Sequence, residues 1–150
     1  MKKTLFLGMF FLAGFAQAGV TSHWVSGFQQ GSTVFNVEAK NGVVLSFSCD
    51  FNHSEIPERD IIIYIPGKPG WVDSQSNTLV LKLGEDSYPL SFIGSTAGNS
   101  WWFSFWADAA ETDSKSVTLS IDGSDIATFT MKDAKKLYES SDALYCIRPS

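Results

Sequence analysis

Apolar and polar residues alternate strictly through Val43–Phe51 (VVLSFSCDF): Val43, Leu45, Phe47, Cys49 and Phe51 fall on one face, and Val44, Ser46, Ser48 and Asp50 on the other. Period-two alternation of this length predicts a half-buried strand, with Cys49 turned into the core. Thr33–Ala39 (TVFNVEA) alternates as well, and Asn41-Gly42 stands between the two runs. That dipeptide is a strong hairpin signal, so the segments are predicted to pair antiparallel around a type I′ turn. Ile61–Ile65 (IIIYI) reads as a central strand, cut off by Pro66-Gly67 because proline cannot continue a ladder. Thr78–Leu83 and Ser87–Ile93 form a second hairpin across Gly84-Glu85-Asp86, and Ser116–Ile121 and Ile126–Met131 a third across Asp122-Gly123. Trp101–Trp106 (WWFSFW) is predicted as a strand with Trp101, Phe103 and Phe105 on one face and Trp102, Ser104 and Trp106 on the other.

Between these runs lie segments of other character. Gly19–Gln30, with Trp24 and Phe28, is expected to lie on the sheet as a leading strand or loop. Asn52–Asp60 reads as a polar loop, Gly94–Ser100 as a small-residue loop and Ala107–Lys115 as an acidic loop. Helix formers gather only in Lys132–Tyr138, where Met131, Ala134, Leu137 and Tyr138 make an apolar stripe and Thr130 with Asp133 a capping pair. The expected fold is mainly β: an antiparallel β-sandwich or small barrel of about eight strands with one C-terminal helix.

The first residues change the picture of where this domain works. Lys2 and Lys3, the apolar run Leu5–Phe15 and the small-x-small site Ala16-Gln17-Ala18 make a secretory signal peptide over residues 1–18. The run is too short to span a bilayer comfortably. The expected mature protein, residues 19–150, is one domain, periplasmic or secreted, with no membrane insertion after cleavage. Without Lys2 and Lys3, nine basic residues face 16 acidic ones. Such a surface repels nucleic acid and anionic lipid and suits a cationic partner. Two cysteines in an exported chain, Cys49 and Cys146, are expected to form a structural disulfide closing the domain.

No catalytic constellation stands out. His23 lies near the mature N-terminus, and His53, with Asp50, Glu55 and Glu58 nearby, matches no metal-site spacing. Gly94-Ser95-Thr96-Ala97-Gly98 has the glycine spacing of a nucleophile elbow but threonine in the nucleophile position. Ser-x-x-Lys, a phosphate-binding glycine loop and His-Glu-x-x-His are all missing. No metal, no cofactor and no enzymatic activity are expected. The positive signals concern binding: Trp71 in a loop of prolines and glycines, Trp102 and Trp106 on the second face of their strand, and Asp108, Glu111 and Asp113 directly after. If the tryptophans lie outside the core they make an aromatic anchor with an acidic rim; otherwise they are covered by the helix or a loop.

The layout Gly42-Val43-Val44-Leu45-Ser46-Phe47-Ser48-Cys49, followed by the Ile61–Ile65 strand, the paired aromatic segment, Ile126–Met131, a helix and a last Cys146, resembles small exported proteins of Gram-negative bacteria and their phages. These include accessory proteins associated with type VI secretion, of the VasI type. In that family, too, such a strand and a C-terminal cysteine bracket a β-rich domain, and the resemblance brings no catalytic residues with it. Bacterial periplasmic lysozyme inhibitors are comparable in class: small, acidic, β-rich and disulfide-tied. Three functions are therefore expected, in order: a binding module acting as inhibitor or immunity protein against a cationic envelope-active enzyme or toxin; an accessory subunit of a secretion or envelope assembly; and a hydrolase of cell wall or glycan using loop carboxylates.

Overall fold

A computed structural model describes residues 23–51 and 57–149. The expected signal peptide, residues 1–18, and His53 lie outside the described residues. The chain is mainly β and forms two antiparallel sheets rather than a closed barrel. The first sheet is a meander of β1 (Val25–Gln29), β2 (Ser32–Glu38), β3 (Val44–Asp50), β4 (Glu58–Tyr64) and β5 (Val72–Asp73), in that spatial order. In the second, β6 (Leu79–Leu83) pairs with β7 (Asp86–Pro89) on one side and β8 (Ser116–Ile121) on the other, and β9 (Ser124–Thr130) follows β8. The predicted polar loop before the Ile61 run is shorter than expected, because β4 already begins at Glu58.

The β2–β3 hairpin forms, but its turn is not type I′. Only Gly42 takes positive φ, at 80°. Lys40-Asn41-Gly42 make a three-residue connection closed by the Ala39 N–H to the Val43 carbonyl at 2.9 Å. Asn41 is held by its own side chain, whose Nδ2 donates to the Ile126 carbonyl at 3.0 Å. Type I′ dihedrals occur instead at Asp122-Gly123 (φ 49° and 85°) and at Gln30-Gly31 (φ 50° and 88°), which joins β1 to β2.

Trp101–Trp106 is a correction: it is not a strand but the middle of α1 (Thr96–Glu111), the crossover from β7 to β8. The helix starts where the Ser95 side chain accepts the Gly98 N–H at 3.1 Å. Gly98, Trp102, Phe105, Trp106 and Ala109 then recur at helical spacing, and all are buried. Phe105 stacks on Phe47 of the first sheet at 5.6 Å and meets Tyr88 of the second edge-on at 5.5 Å, so α1 bridges the two sheets. Trp106 fills the space among Trp24, Phe35 and Phe47. Facing it, the second sheet contributes Leu79, Leu81, Leu83, Val117, Leu119 and Phe129.

The predicted C-terminal helix forms as the short α2 (Ala134–Tyr138), without its expected capping pair. Asp133 sits at the cap position in left-handed conformation and makes no side-chain cap bond, while Thr130 Oγ1 accepts the Lys132 N–H at 3.1 Å. A 3-10 turn, Ser141–Ala143, then returns the chain to β3, where Cys146 joins Cys49 across a sequence separation of 97 with the Cα atoms 5.7 Å apart. Closing so long a loop stabilises the domain by about 4–5 kcal/mol in the chain-entropy account.

Candidate functional site

β4 pairs with β3 along its whole length but with β5 at two positions only, Ile62↔Asp73 and Ile63↔Val72. Asp73 is the reason. Its Oδ1 accepts the N–H groups of Gln75 and Ser76, each at 2.9 Å, and this side-chain turn peels the chain away from β4. Among the described residues, Glu58–Ile61 therefore has no ladder partner on that side. A cleft of about 760 Å³ runs along the open edge. Its far wall is the loop between β7 and α1, pinned by Phe92 N–H to the Ser74 carbonyl (2.8 Å), Gln75 Nε2 to the Ile93 carbonyl (2.7 Å) and Gly94 N–H to Asn99 Oδ1 (3.1 Å).

The floor is acidic. Asp50 and Glu58 are direct cross-strand partners, and Asp60 lies two residues on from Glu58 on the same face. Asp60 Oδ1 accepts the Ile61 N–H at 2.8 Å, so the carboxylate itself caps a donor of the open edge. Burial pushes the Asp60 carboxyl above its ordinary value; the Ile61 N–H opposes this and the neighbouring charge of Asp73 adds to it. Arg59 projects from the opposite face of the strand. Its Nη2 donates to the Tyr145 carbonyl at 2.7 Å and its Nε to that of Cys146 at 3.1 Å, with the guanidinium 4.6 Å from the Phe103 ring centroid. Burial lowers its affinity for the proton. Arg59 thus clamps the open edge to the disulfide-tied C-terminal segment.

Three exposed aromatic residues adjoin residues that line the cleft, without lining it themselves. Phe51 follows Asp50 at the end of β3, Phe92 precedes the lining residue Ile93, and Tyr145 offers its carbonyl to Arg59. Phe92 is 65% exposed at φ 54° and Tyr145 50% exposed at φ 62°. A bulky residue in left-handed conformation costs on the order of 1–3 kcal/mol. Phe92 is held there because the Ser95 N–H and Oγ both donate to its carbonyl, at 3.1 Å and 2.8 Å. Gly98 seats directly against that carbonyl, and any side chain at 98 would overlap it.

The residues that the sequence offers for binding do not gather into one place. Trp102 and Trp106 are both 0% exposed, because the helix turns them onto the first sheet; the expected aromatic patch is core. Trp71 is 70% exposed between β4 and β5. Asp108 and Glu111 belong to the last turns of α1 and Asp113 follows it; all three are exposed, and Asp108 accepts the Tyr88 hydroxyl at 2.7 Å. With Trp106 turned inward, the exposed ring nearest Asp108 on this helix is Trp101, which meets Tyr88 edge-on. Arg59, Asp60, Phe92 and Tyr145 escape the sequence reading. The one signal for the first two is Glu58-Arg59-Asp60 abutting Ile61–Ile65, charges alternating into the strand rather than preceding it. Among the described residues no three His, Cys, Asp or Glu side chains are placed to hold a metal ion.

Fold and cleft together define a two-sheet β domain, bridged by a helix, stapled by one disulfide and open along one strand edge. The chain belongs to the YfjT family, whose model matches residues 22–138, from before β1 to the end of α2. No curated protein and no solved structure matches it.

Proposed function

We propose that this protein is a non-enzymatic binding module of the bacterial periplasm or exterior, and that it inhibits or neutralises an envelope-targeting enzyme or toxin. One observation carries the reading: two large aromatic side chains, Phe92 and Tyr145, are displayed to solvent on strained backbone, each adjoining a residue that lines an acid-floored cleft, Phe92 through the following Ile93 and Tyr145 through its carbonyl on Arg59. Strain of this kind that contributes nothing to the core is characteristic of binding surfaces, and exposed aromatic anchors supply most of the energy in many protein interfaces. The disulfide supports an oxidising compartment. Among the described residues no helix is long and apolar enough to cross a membrane. The acidic floor would steer a cationic partner.

The test immobilises the disulfide-bonded protein and exposes it to a panel of cationic cell-wall hydrolases at low and moderate salt. The reading predicts one hydrolase retained, inhibited and released by salt, and lost when Phe92→Ala and Tyr145→Ala are combined. A panel that passes through unretained contradicts it, as does capture that ignores both substitutions. Retention of secretion-machinery subunits, with no hydrolase affected, would favour an accessory role instead.

A further inference from the structure

We propose that the open edge of β4, Glu58 to Ile61, is a strand-addition site for an extended basic segment of a protein partner, carrying Lys or Arg at every second position. This rests on the binding-module reading and names its mode of recognition.

The edge is built for pairing. Ile61 sends its N–H away from β3, since it goes to Asp60 Oδ1 at 2.8 Å. In an antiparallel ladder the direction of these groups alternates, so Arg59 presents its N–H and carbonyl to the same side. The carboxylate of Asp60 stands where an incoming strand would place a carbonyl, and exchanging one for the other keeps the Ile61 donor satisfied. The open stretch is four residues, about 13 Å of strand. The cleft beside it, about 760 Å³, falls within the range of well-formed binding pockets.

The edge of β9 shows what a protected edge looks like here. On β9, Asn41 Nδ2 takes the Ile126 carbonyl at 3.0 Å, freed by a register shift in the β8–β9 pair. Trp24 Nε1 takes that of Thr130 at 2.9 Å. Side chains from the first sheet thereby close an edge that would invite pairing. Among the described residues the edge of β4 is covered only by the Asp60 carboxylate on the Ile61 N–H, with Ser74 Oγ on the same oxygen at 3.5 Å, and its solvent face carries the negative charge of Glu58 and Asp60. Two copies meeting there would set Glu58 and Asp60 against their like, which disfavours self-association and favours a strand of opposite charge.

Pleating fixes the sequence pattern of the occupant. Residues on the solvent face of an added strand would meet Glu58 and Asp60, with Asp50 behind them, and call for cations. Residues between them would face the wall at Ile93 and Gly94 and call for small apolar side chains.

The experiment measures binding of a labelled octapeptide of alternating Lys and Val to the disulfide-bonded protein, by fluorescence anisotropy at two salt concentrations. Controls are a block peptide of the same composition and two peptides N-methylated on either the Val or the Lys amides. The alternating peptide should bind at least about tenfold tighter than the block peptide and slow amide exchange at Arg59 and Ile61. Antiparallel addition predicts loss on methylating Val and tolerance of methylated Lys; parallel addition reverses the two. Glu58→Gln with Asp60→Asn should weaken binding about tenfold without lowering the melting temperature. Equal binding of all four peptides, equal loss in both methylation phases, no exchange protection or no binding at all would each overturn strand addition. If it falls while hydrolase capture still depends on Phe92 and Tyr145, only the mode is wrong; if capture fails as well, the binding-module reading falls with it.

Discussion

Trp102 and Trp106 lie fully buried among the rings of Phe47, Phe105 and Trp24, whereas Phe92 and Tyr145 stand out into solvent on left-handed backbone. The first pair gains from burial what a large aromatic side chain can gain and pays nothing in backbone geometry. The second pair carries strain and recovers little of it by packing. Aromatic content alone therefore says nothing about role in this chain; the backbone beneath each ring does. Where geometry is relaxed and the ring covered, the residue builds the fold. Where geometry is strained and the ring exposed, the residue is held ready for something outside the molecule.

The strongest way to break this division is to shorten a buried ring. Trp106→Ala should cost about 3–5 kcal/mol, seen as an earlier urea midpoint or as failure to fold. A smaller effect separates the two tryptophans. Trp102 Nε1 donates to the Cys146 carbonyl at 3.0 Å, while Trp106 Nε1 has no hydrogen-bond partner and is surrounded by rings. Trp102→Phe should therefore be the more costly replacement, by about 0.5–1.5 kcal/mol for the lost hydrogen bond, since Arg59 Nε still donates to the Cys146 carbonyl at 3.1 Å, in the same urea titration. At the surface the sign reverses: Phe92→Gly or Tyr145→Gly should stabilise by about 1 kcal/mol, since glycine takes positive φ without strain.

The smallest effect concerns the floor of the cleft. The folded protein holds the Asp60 proton more tightly than the unfolded chain does, because burial raises its carboxyl. Ionisation as pH rises through the folded value therefore costs stability, and below both values the cost is absent. Asp60→Asn keeps an oxygen for the Ile61 N–H and removes the charge. It should raise the melting temperature slightly at pH 7 and leave it unchanged at pH 3, as read by paired thermal melts.

Much of the sheet structure was legible because alternation and turn residues act locally. The β2–β3 hairpin, the strand carrying Cys49, the Asp122-Gly123 turn and the Cys49–Cys146 bridge all follow from nearby residues and the cysteine count. The helix α1 did not, because Trp101–Trp106 is aromatic throughout and satisfies period two as well as period 3.6. The deciding information lay outside it: Ser95 as cap, and Gly98 and Ala109 extending the stripe of Trp102 and Phe105 in both directions. The cleft was less legible still. It exists because Asp73 turns β5 away from β4 after two pairs, and because the loop that forms its far wall passes through Phe92 at a φ that no local pattern announces. Both are consequences of tertiary closure.

The most direct measurement combines stability and binding in one variant, Phe92→Gly with Tyr145→Gly, assayed for melting temperature and for capture of the inhibited hydrolase. The account predicts a higher melting temperature together with lost capture. A variant that captures its partner as well as the parent protein would contradict it.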